Sequence, residues 1–187
     1  MGRPKAGLEL GGESLLSRVL KRLTPVCREV ILVTRRPSEF LDFNLKIVRD
    51  LVPGQGPLGG LATGLFYAHH PWVLTLACDL PFVSTPLLAG LAQEALAAPR
   101  GPRAIVPRTQ LGWQPLCAVY SRACLPPARR LLAQGRRKVD DLIKNGVSWQ
   151  AVTEERLRGL DPDLVSFINI NTPKDLEQAR AVIKAES

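Results

Sequence analysis

Hydrophobic and polar positions alternate between two periods along the whole chain, helical and extended, with no linker or low-complexity tract between them. Ser14 stands before Leu15-Leu16-Ser17-Arg18-Val19-Leu20-Lys21-Arg22-Leu23, whose apolar residues recur at helical spacing, and Pro25 closes the segment. Glu29-Val30-Ile31-Leu32-Val33-Thr34 is apolar and β-branched without alternation, the pattern of a strand buried on both faces. Leu45-Lys46-Ile47-Val48-Arg49 predicts a second strand that ends at Asp50. The loop Pro53-Gly54-Gln55-Gly56-Pro57 then opens a helix predicted over Leu58 to His70. Trp72-Val73-Leu74-Thr75-Leu76-Ala77-Cys78 is the most apolar strand of the chain and stops at Asp79.

Further along, the pattern predicts a helix over Thr85 to Ala97 and strands over Arg103–Pro107 and Leu116–Tyr120. Helices follow near Ala123–Gln134 and Val139–Asn145. Val165-Ser166-Phe167-Ile168-Asn169-Ile170 reads as a final strand, and Thr172-Pro173 as the cap and first turn of a helix from Lys174 to about Lys184. Buried strands alternating with helices predict an α/β three-layer sandwich around a mostly parallel, Rossmann-like sheet, in one domain over residues 1–187. Ligands of such sheets sit beyond the carboxyl ends of the strands, which selects Asp50, Asp79 and the segment Asn169–Asn171.

Composition narrows the chemistry. Apolar residues are 45% and charged residues 22%, close to a soluble globular average, and no apolar run is long enough to span a membrane. Cys27, Cys78, Cys117 and Cys124 share no metal-binding spacing, and with only His69 and His70 a zinc centre is not expected; reduced thiols in a cytoplasmic protein are. The formal charge of +8 points to an anionic partner, and 18 of the 25 cations are arginines, whose fork suits phosphate. Three Trp, two Tyr and five Phe are scattered without interleaving the basic stretch Arg129, Arg130, Arg136, Arg137 and Lys138, so a stacking surface for nucleic acid is not expected.

Several residues carry possible chemistry, each beside a plainer role. Asp79 can hold a hard divalent cation or cap a turn. Asp50 can face a nucleotide or end a strand. Gly56-Pro57-Leu58-Gly59-Gly60 can lay bare backbone against a flat base or simply start a helix. Lys5 can neutralise charge developing on a phosphate or lie as an exposed cation near the terminus. Asn169 and Asn171 alternate and share one face, as ligand contacts or as backbone bridges.

Taken in order, Met1-Gly2-Arg3-Pro4-Lys5-Ala6 with Leu8-Glu9-Leu10-Gly11-Gly12, Gly56-Pro57-Leu58-Gly59-Gly60-Leu61, Ala77-Cys78-Asp79-Leu80-Pro81-Phe82, Gln114-Pro115-Leu116-Cys117-Ala118-Val119-Tyr120 and Asn169-Ile170-Asn171-Thr172-Pro173 resemble the motifs of the molybdenum cofactor guanylyltransferase family, MobA. The resemblance covers nearly the whole chain. It implies the nucleotide-diphospho-sugar transferase type of fold and transfer of GMP from GTP to molybdopterin, with release of pyrophosphate and help from Mg²⁺. By that resemblance Asp79 holds the metal and acts with Lys5 in catalysis. Lys5, Asp50, Gly56, Pro57, Leu58, Gly60 and Asp79 bind the nucleotide, and Asn169, Asn171 and Arg137 face molybdopterin. Other cofactor-biosynthesis proteins and the recipient molybdoenzymes are the implied partners, with neither nucleic acid nor membrane among them.

Two departures follow from the same comparison. The family has a buried strand and a Leu-Ala-Gly-Gly-x-Ser-x-Arg loop immediately before its Met-Gly, whereas Met1-Gly2 open this sequence; the expectation is that Met1 is an internal methionine of a longer polypeptide. Near Val33-Thr34-Arg35 the family often carries an asparagine. Rival readings are a cytidylyltransferase for the same pterin, a sugar-phosphate nucleotidyltransferase, and a relative that binds nucleotide or pterin without turnover.

Overall fold

A computed structural model describes residues 9–99, 101, 103–172, 175–177, 179 and 180. Lys5 lies outside these residues, as does most of the helix expected from Lys174 to Lys184.

The described chain opens with a small antiparallel hairpin, β1 (Glu9–Leu10) and β2 (Glu13–Ser14). Gly11 and Gly12 form its turn at φ 63° and 77°, the left-handed pair that a two-residue hairpin loop requires. Helix α1 (Leu15–Leu23) starts where the Ser14 side chain accepts the Ser17 N–H, and it buries Leu15, Leu16, Val19 and Leu23. Strands β3 (Ile31–Val33) and β4 (Lys46–Val48) pair in parallel. Helix α2 (Gly56–Tyr67) leads into β5 (Trp72–Leu76), and α3 (Thr85–Ala97), capped by Ser84, leads into β6 (Arg103–Thr109). Then come β7 (Gly112–Trp113), β8 (Cys117–Ser121), α4 (Leu125–Ala133), α5 (Val139–Asn145), β9 (Ser148–Val152) and α6 (Glu154–Arg158).

The three layers are as expected, but the sheet is not mostly parallel. Its larger part has the order β5-β8-β6-β7 with β9 on the other side of β6, and β8 runs antiparallel to both β5 and β6. The physical reason is the short link between β6 and β8, taken up by the β6–β7 hairpin and a turn in which Gln114 N–H donates to the Pro107 carbonyl at 3.0 Å. A parallel pair needs a crossover of a dozen residues or more, and this link is too short. Since β5 and β6 both oppose β8, they point the same way, and β9 is parallel to β6.

Alternate residues of the strands feed two cores. Ala104, Val106, Ala118 and Tyr120 pack under α2, α4 and α5; Ile105, Cys117 and Val119 pack under α3 with Leu23 of α1. Cys117 to Tyr120 are buried on both faces, as their unbroken apolar pattern implies. The β3 and β5 strands depart from that expectation: Ile31–Val33 and Trp72–Leu76 are only half-buried, because β3–β4 forms a sheet separate from the one that β5 edges.

The segment from Val165 to Ile170 is not a strand. Leu164 takes φ 53°, Val165–Phe167 makes one tight turn, and residues 168–171 continue without strand pairing. The Asp161 carboxylate accepts the Ser166 N–H at 2.9 Å, and Ser166 Oγ accepts the Ser84 N–H at 2.9 Å. These buried side-chain bonds satisfy the backbone in place of a sheet ladder.

Candidate functional site

The carboxyl ends of β3, β4 and β5 converge where α2 begins. Gly56 enters the helix at φ 64°, a left-handed conformation that glycine adopts without penalty. A Cβ at Gly56 would lie 3.2 Å from both the Cβ and the carbonyl oxygen of Arg137. That carbonyl accepts the Leu58 N–H at 3.0 Å, so the chain before α5 is bonded to the first turn of α2. Arg137 and the Gly56 loop, eighty residues apart in sequence, are thereby one local structure. The Leu58 side chain is fully buried in the core under α2, and its amide is occupied by Arg137; it shapes the loop from beneath.

Beside this junction, Arg35, Asp50, Gly54, Gly56 and Pro57 line a cleft of about 360 Å³. Arg35 follows β3 by two residues and Asp50 follows β4 by two, so both are carried to the same rim by the parallel pairing of those strands. A cation, a carboxylate and bare glycine backbone at one cleft can meet the phosphate, hydroxyl and base parts of a nucleotide respectively. Arg35 is not among the residues selected from the sequence, where Val33-Thr34-Arg35 stands only as a departure from the family's pattern; the strand register brings it beside Asp50.

Gly59 and Gly60 divide the rest of the loop. A Cβ at Gly59 would sit 2.5 Å from the Gln55 Cβ, so glycine is needed there for Gln55 to fold back over the first turn. Gly60 has nothing within 4 Å of its Cβ position and faces the larger groove between β3 and β5 instead of the smaller cleft.

Asp79 lies three residues beyond β5, at the Cys78-Asp79-Leu80 turn. Its carbonyl accepts the Ile170 N–H at 2.9 Å. Ile170 is buried at 1% exposure, and Asn169 and Asn171 on either side of it are exposed, so the Asp79 backbone bonds the segment between the two asparagines. The Asp175 carboxylate accepts the N–H groups of Asn171 and Thr172 at 2.8 Å, and the Thr172 side chain accepts the Asp175 N–H at 3.2 Å. Thr172 is therefore the cap that the sequence pattern predicts, and the Asp175 carboxylate fixes the backbone of Asn171 and Thr172. Among the described residues no three His, Cys, Asp or Glu side chains cluster as a metal site. Mg²⁺ commonly takes one or two protein carboxylates with the remainder from phosphate and water, and Asp79 suits that mode.

Other perturbed groups lie away from this rim. Glu29 receives the His69 N–H at 3.1 Å, the His69 ring at 2.8 Å and Lys46 Nζ at 3.1 Å, and these bonds hold its carboxyl down at about 2. It staples the start of β3 to β4 and the end of α2. Burial raises the thiols of Cys27, Cys117 and Cys124, Cys117 to about 12. The Tyr120 hydroxyl donates to the Pro115 carbonyl at 2.8 Å, fixing the Gln114-Pro115 turn against β8.

Comparison with known proteins agrees with the ordered motifs. Residues 1–150 match the MobA-like NTP transferase domain. A molybdenum cofactor guanylyltransferase of Desulfosudis oleivorans is 37% identical over 188 residues, covering 98% of this chain and 89% of that one. A probable molybdenum cofactor guanylyltransferase of Pelotomaculum thermopropionicum is 37% identical over 182 residues, 97% of this chain and 86% of that one. The crystal structure of molybdopterin-guanine dinucleotide biosynthesis protein A from Archaeoglobus fulgidus superposes with a TM-score of 0.86 at 29% identity, covering 98% of this chain and 92% of that one. A 2-C-methyl-D-erythritol 4-phosphate cytidylyltransferase from Thermus thermophilus shares the fold, with a TM-score of 0.71 at 22% identity. With its motifs in order, its strand ends gathered at one rim and its similarity running along nearly the whole chain, this protein belongs to the MobA-like NTP transferase family.

Proposed function

We propose that the chain is a guanylyltransferase that joins GMP from GTP to molybdopterin, releasing pyrophosphate, within one nucleotidyltransferase domain over residues 1–187. The observation that carries this reading is the bond from Ile170 N–H to the Asp79 carbonyl at 2.9 Å. It joins the segment assigned to the pterin with the backbone of the turn that carries Asp79, so two substrates can meet across one strand end.

In the reaction, a terminal phosphate oxygen of molybdopterin forms a bond to the α-phosphorus of GTP, and the bond to the bridging oxygen breaks as pyrophosphate departs. No covalent enzyme intermediate is needed; the protein's part is positioning and charge. Gly56 and Pro57 offer bare backbone to the guanine, with Leu58 packed beneath, whereas Gly60 faces the neighbouring groove. Asp50 takes the ribose side of the nucleotide, and Lys5 adds positive charge at the triphosphate. Asn169 and Asn171 hydrogen-bond the pterin side, and Arg137, held beside the Gly56 loop, adds positive charge toward molybdopterin. Asp79 would hold Mg²⁺, which when bound neutralises phosphate charge. The net charge of +8 suits two polyanionic substrates. In this reading the protein works in the cytoplasm, alongside other cofactor-biosynthesis proteins and the molybdoenzymes that receive the product.

Calorimetric titration with GTP and MgCl₂, with CTP as control, tests the nucleotide assignment. Saturable heat with GTP and little with CTP is the expected result. Equal affinity for CTP would replace this reading with a cytidylyl-type enzyme.

A further inference from the structure

Gln55 immediately precedes α2 and stands between Gly54 and Gly56, which hold φ 78° and 64° and line the cleft with Arg35 and Asp50. Its own side chain is turned the other way. A Cβ at Gly59 would come 2.5 Å from the Gln55 Cβ and 3.7 Å from its Cγ, so the side chain folds back over the first turn of α2. There it makes no capping bond to the helix, and among the described residues its Oε1 is buried without a hydrogen-bond partner. A buried amide oxygen without a donor is costly, and folded proteins rarely keep one. Gln55 thus neither caps the helix nor belongs to a core, and its cost has a cause if a ligand takes the amide.

The rest of the loop has little left with which to read the edge of a base. The amides that open an α-helix are ordinarily free for a ligand, but here most are spent. Pro57 has no N–H, Leu58 N–H donates to the Arg137 carbonyl at 3.0 Å, and Gly59 N–H donates to the Gln55 carbonyl at 3.3 Å. The Gly59 carbonyl accepts the Thr63 hydroxyl at 2.9 Å, and Gly60 faces the neighbouring groove. Arg35 can only donate, and the Asp50 carboxylate can only accept. A guanine edge sets an acceptor, O6, beside a donor, N1–H, and a side-chain amide presents the complementary donor and acceptor side by side. From Gly54 to Gly60, Gln55 alone has such a side chain.

We propose that Gln55 is the base-reading residue of the cleft. On nucleotide binding its Cβ stays packed on Gly59 while the amide turns about the Cβ–Cγ and Cγ–Cδ bonds and pairs with guanine, Oε1 accepting N1–H and Nε2 donating to O6. The orphaned oxygen gains its donor in that step, so the nucleotide relieves a cost that the free protein carries. Gly59, lacking a Cβ, gives the unliganded amide a place to lie, and Gly54 and Gly56 put no side chain between the released amide and the cleft. The inference rests on the guanylyl transfer proposed above and adds to it the group that selects the base.

Gln55→Met keeps the length of the side chain and removes its polar atoms. The test titrates the wild type and this variant, each with MgCl₂, using GTP and 2-aminopurine ribonucleoside triphosphate, a purine that lacks both O6 and N1–H. The wild type is expected to bind GTP about tenfold or more tightly than the analogue, because a site built to bond a polar edge rejects a ligand without it. The variant is expected to bind both nucleotides about as weakly as the wild type binds the analogue. A preference for GTP that survives the substitution overturns the inference and leaves guanylyl transfer standing; a mere distortion of the loop gives this result, since it weakens both nucleotides alike. Equal binding of the two by the wild type overturns it without any variant. Binding of neither by the folded wild type overturns it together with the reading on which it rests. Ligand-free stability gives an independent sign. Removing the orphaned oxygen is expected to raise Tm by about 2 °C or more. A lowered Tm would show the amide holding the loop together in the free protein and would overturn the assignment.

Discussion

Replacing Gly56 by alanine tests the junction that organises the cleft of Arg35 and Asp50. At φ 64° an L-residue carries a strain of roughly 1–2 kcal/mol. The new Cβ would also lie 3.2 Å from the Arg137 Cβ and carbonyl oxygen, and since one of these is backbone, Arg137 must move. Movement there weakens the 3.0 Å bond from the buried Leu58 N–H, and an unsatisfied buried amide costs about 1–3 kcal/mol. Gly54→Ala is the matched control, because Gly54 has φ 78° and nothing within 4 Å of its Cβ position, leaving the strain alone. Urea unfolding is therefore expected to show Gly56→Ala destabilised by about 3 kcal/mol and Gly54→Ala by about 1–2 kcal/mol. Titration with GTP is expected to show a further loss of about tenfold for Gly56→Ala over Gly54→Ala, since 1.4 kcal/mol is a factor of ten. Equal destabilisation by the two variants would refute the coupling of Gly56 to Arg137.

Other outcomes follow from the same geometry. Arg35→Ala is expected to raise KM for GTP about tenfold with kcat little changed, as loss of a charge-assisted contact worth roughly 1.5–3 kcal/mol; steady-state kinetics reads this. Asp79→Asn is expected to lower kcat by at least about 100-fold and to weaken the Mg²⁺ dependence of the rate, measured by pyrophosphate release across a MgCl₂ series. Glu29 is held at about 2, below its ordinary 4.5, so its stabilising contribution is complete above pH 4.5 and is lost as pH falls toward 2. Urea midpoints of the wild type and Glu29→Gln are therefore expected to differ at pH 6 and to converge by about pH 2. Cys117 and Cys124, buried with raised pKa values, are expected to stay unreactive to Ellman's reagent in the native protein and to react after denaturation.

Much of this architecture is legible in the amino-acid order, and the exceptions have physical causes. Ser14 and Leu15-Leu16-Val19-Leu23 specify α1 locally, and Cys117–Tyr120 announce a strand buried on both faces. The sheet direction was not legible because the antiparallel β8 is as apolar as a parallel strand; only the short β6–β8 link reveals its sense. Ser148–Val152 pairs at an edge with only Val152 buried, which leaves little alternation to detect. The segment around Phe167 misled the pattern because its amides are satisfied by Asp161 and its turn is bonded to Ser84, partners distant in sequence or polar in type.

The site divides in the same way. Asp50 and Asp79 could be found from strand ends, and Gly56 from the turn before a helix. The alternation expected over Asn169–Asn171 does not form: no strand is present, and Ile168 is exposed together with Asn169 and Asn171 while Ile170 alone is buried. Arg35 could not be found this way: it reaches the cleft through the register of β3 with β4. Arg137 enters through its backbone carbonyl, a group every residue has, so no residue type marks it.

The central claim is guanylyl transfer, and the most direct test is a single assay with the gene's full product, molybdopterin, MgCl₂ and α-labelled GTP or CTP. The expected result is labelled dinucleotide from GTP, one pyrophosphate per product and little label from CTP. Equal labelling from CTP, or no product from folded protein that binds GTP, would contradict it.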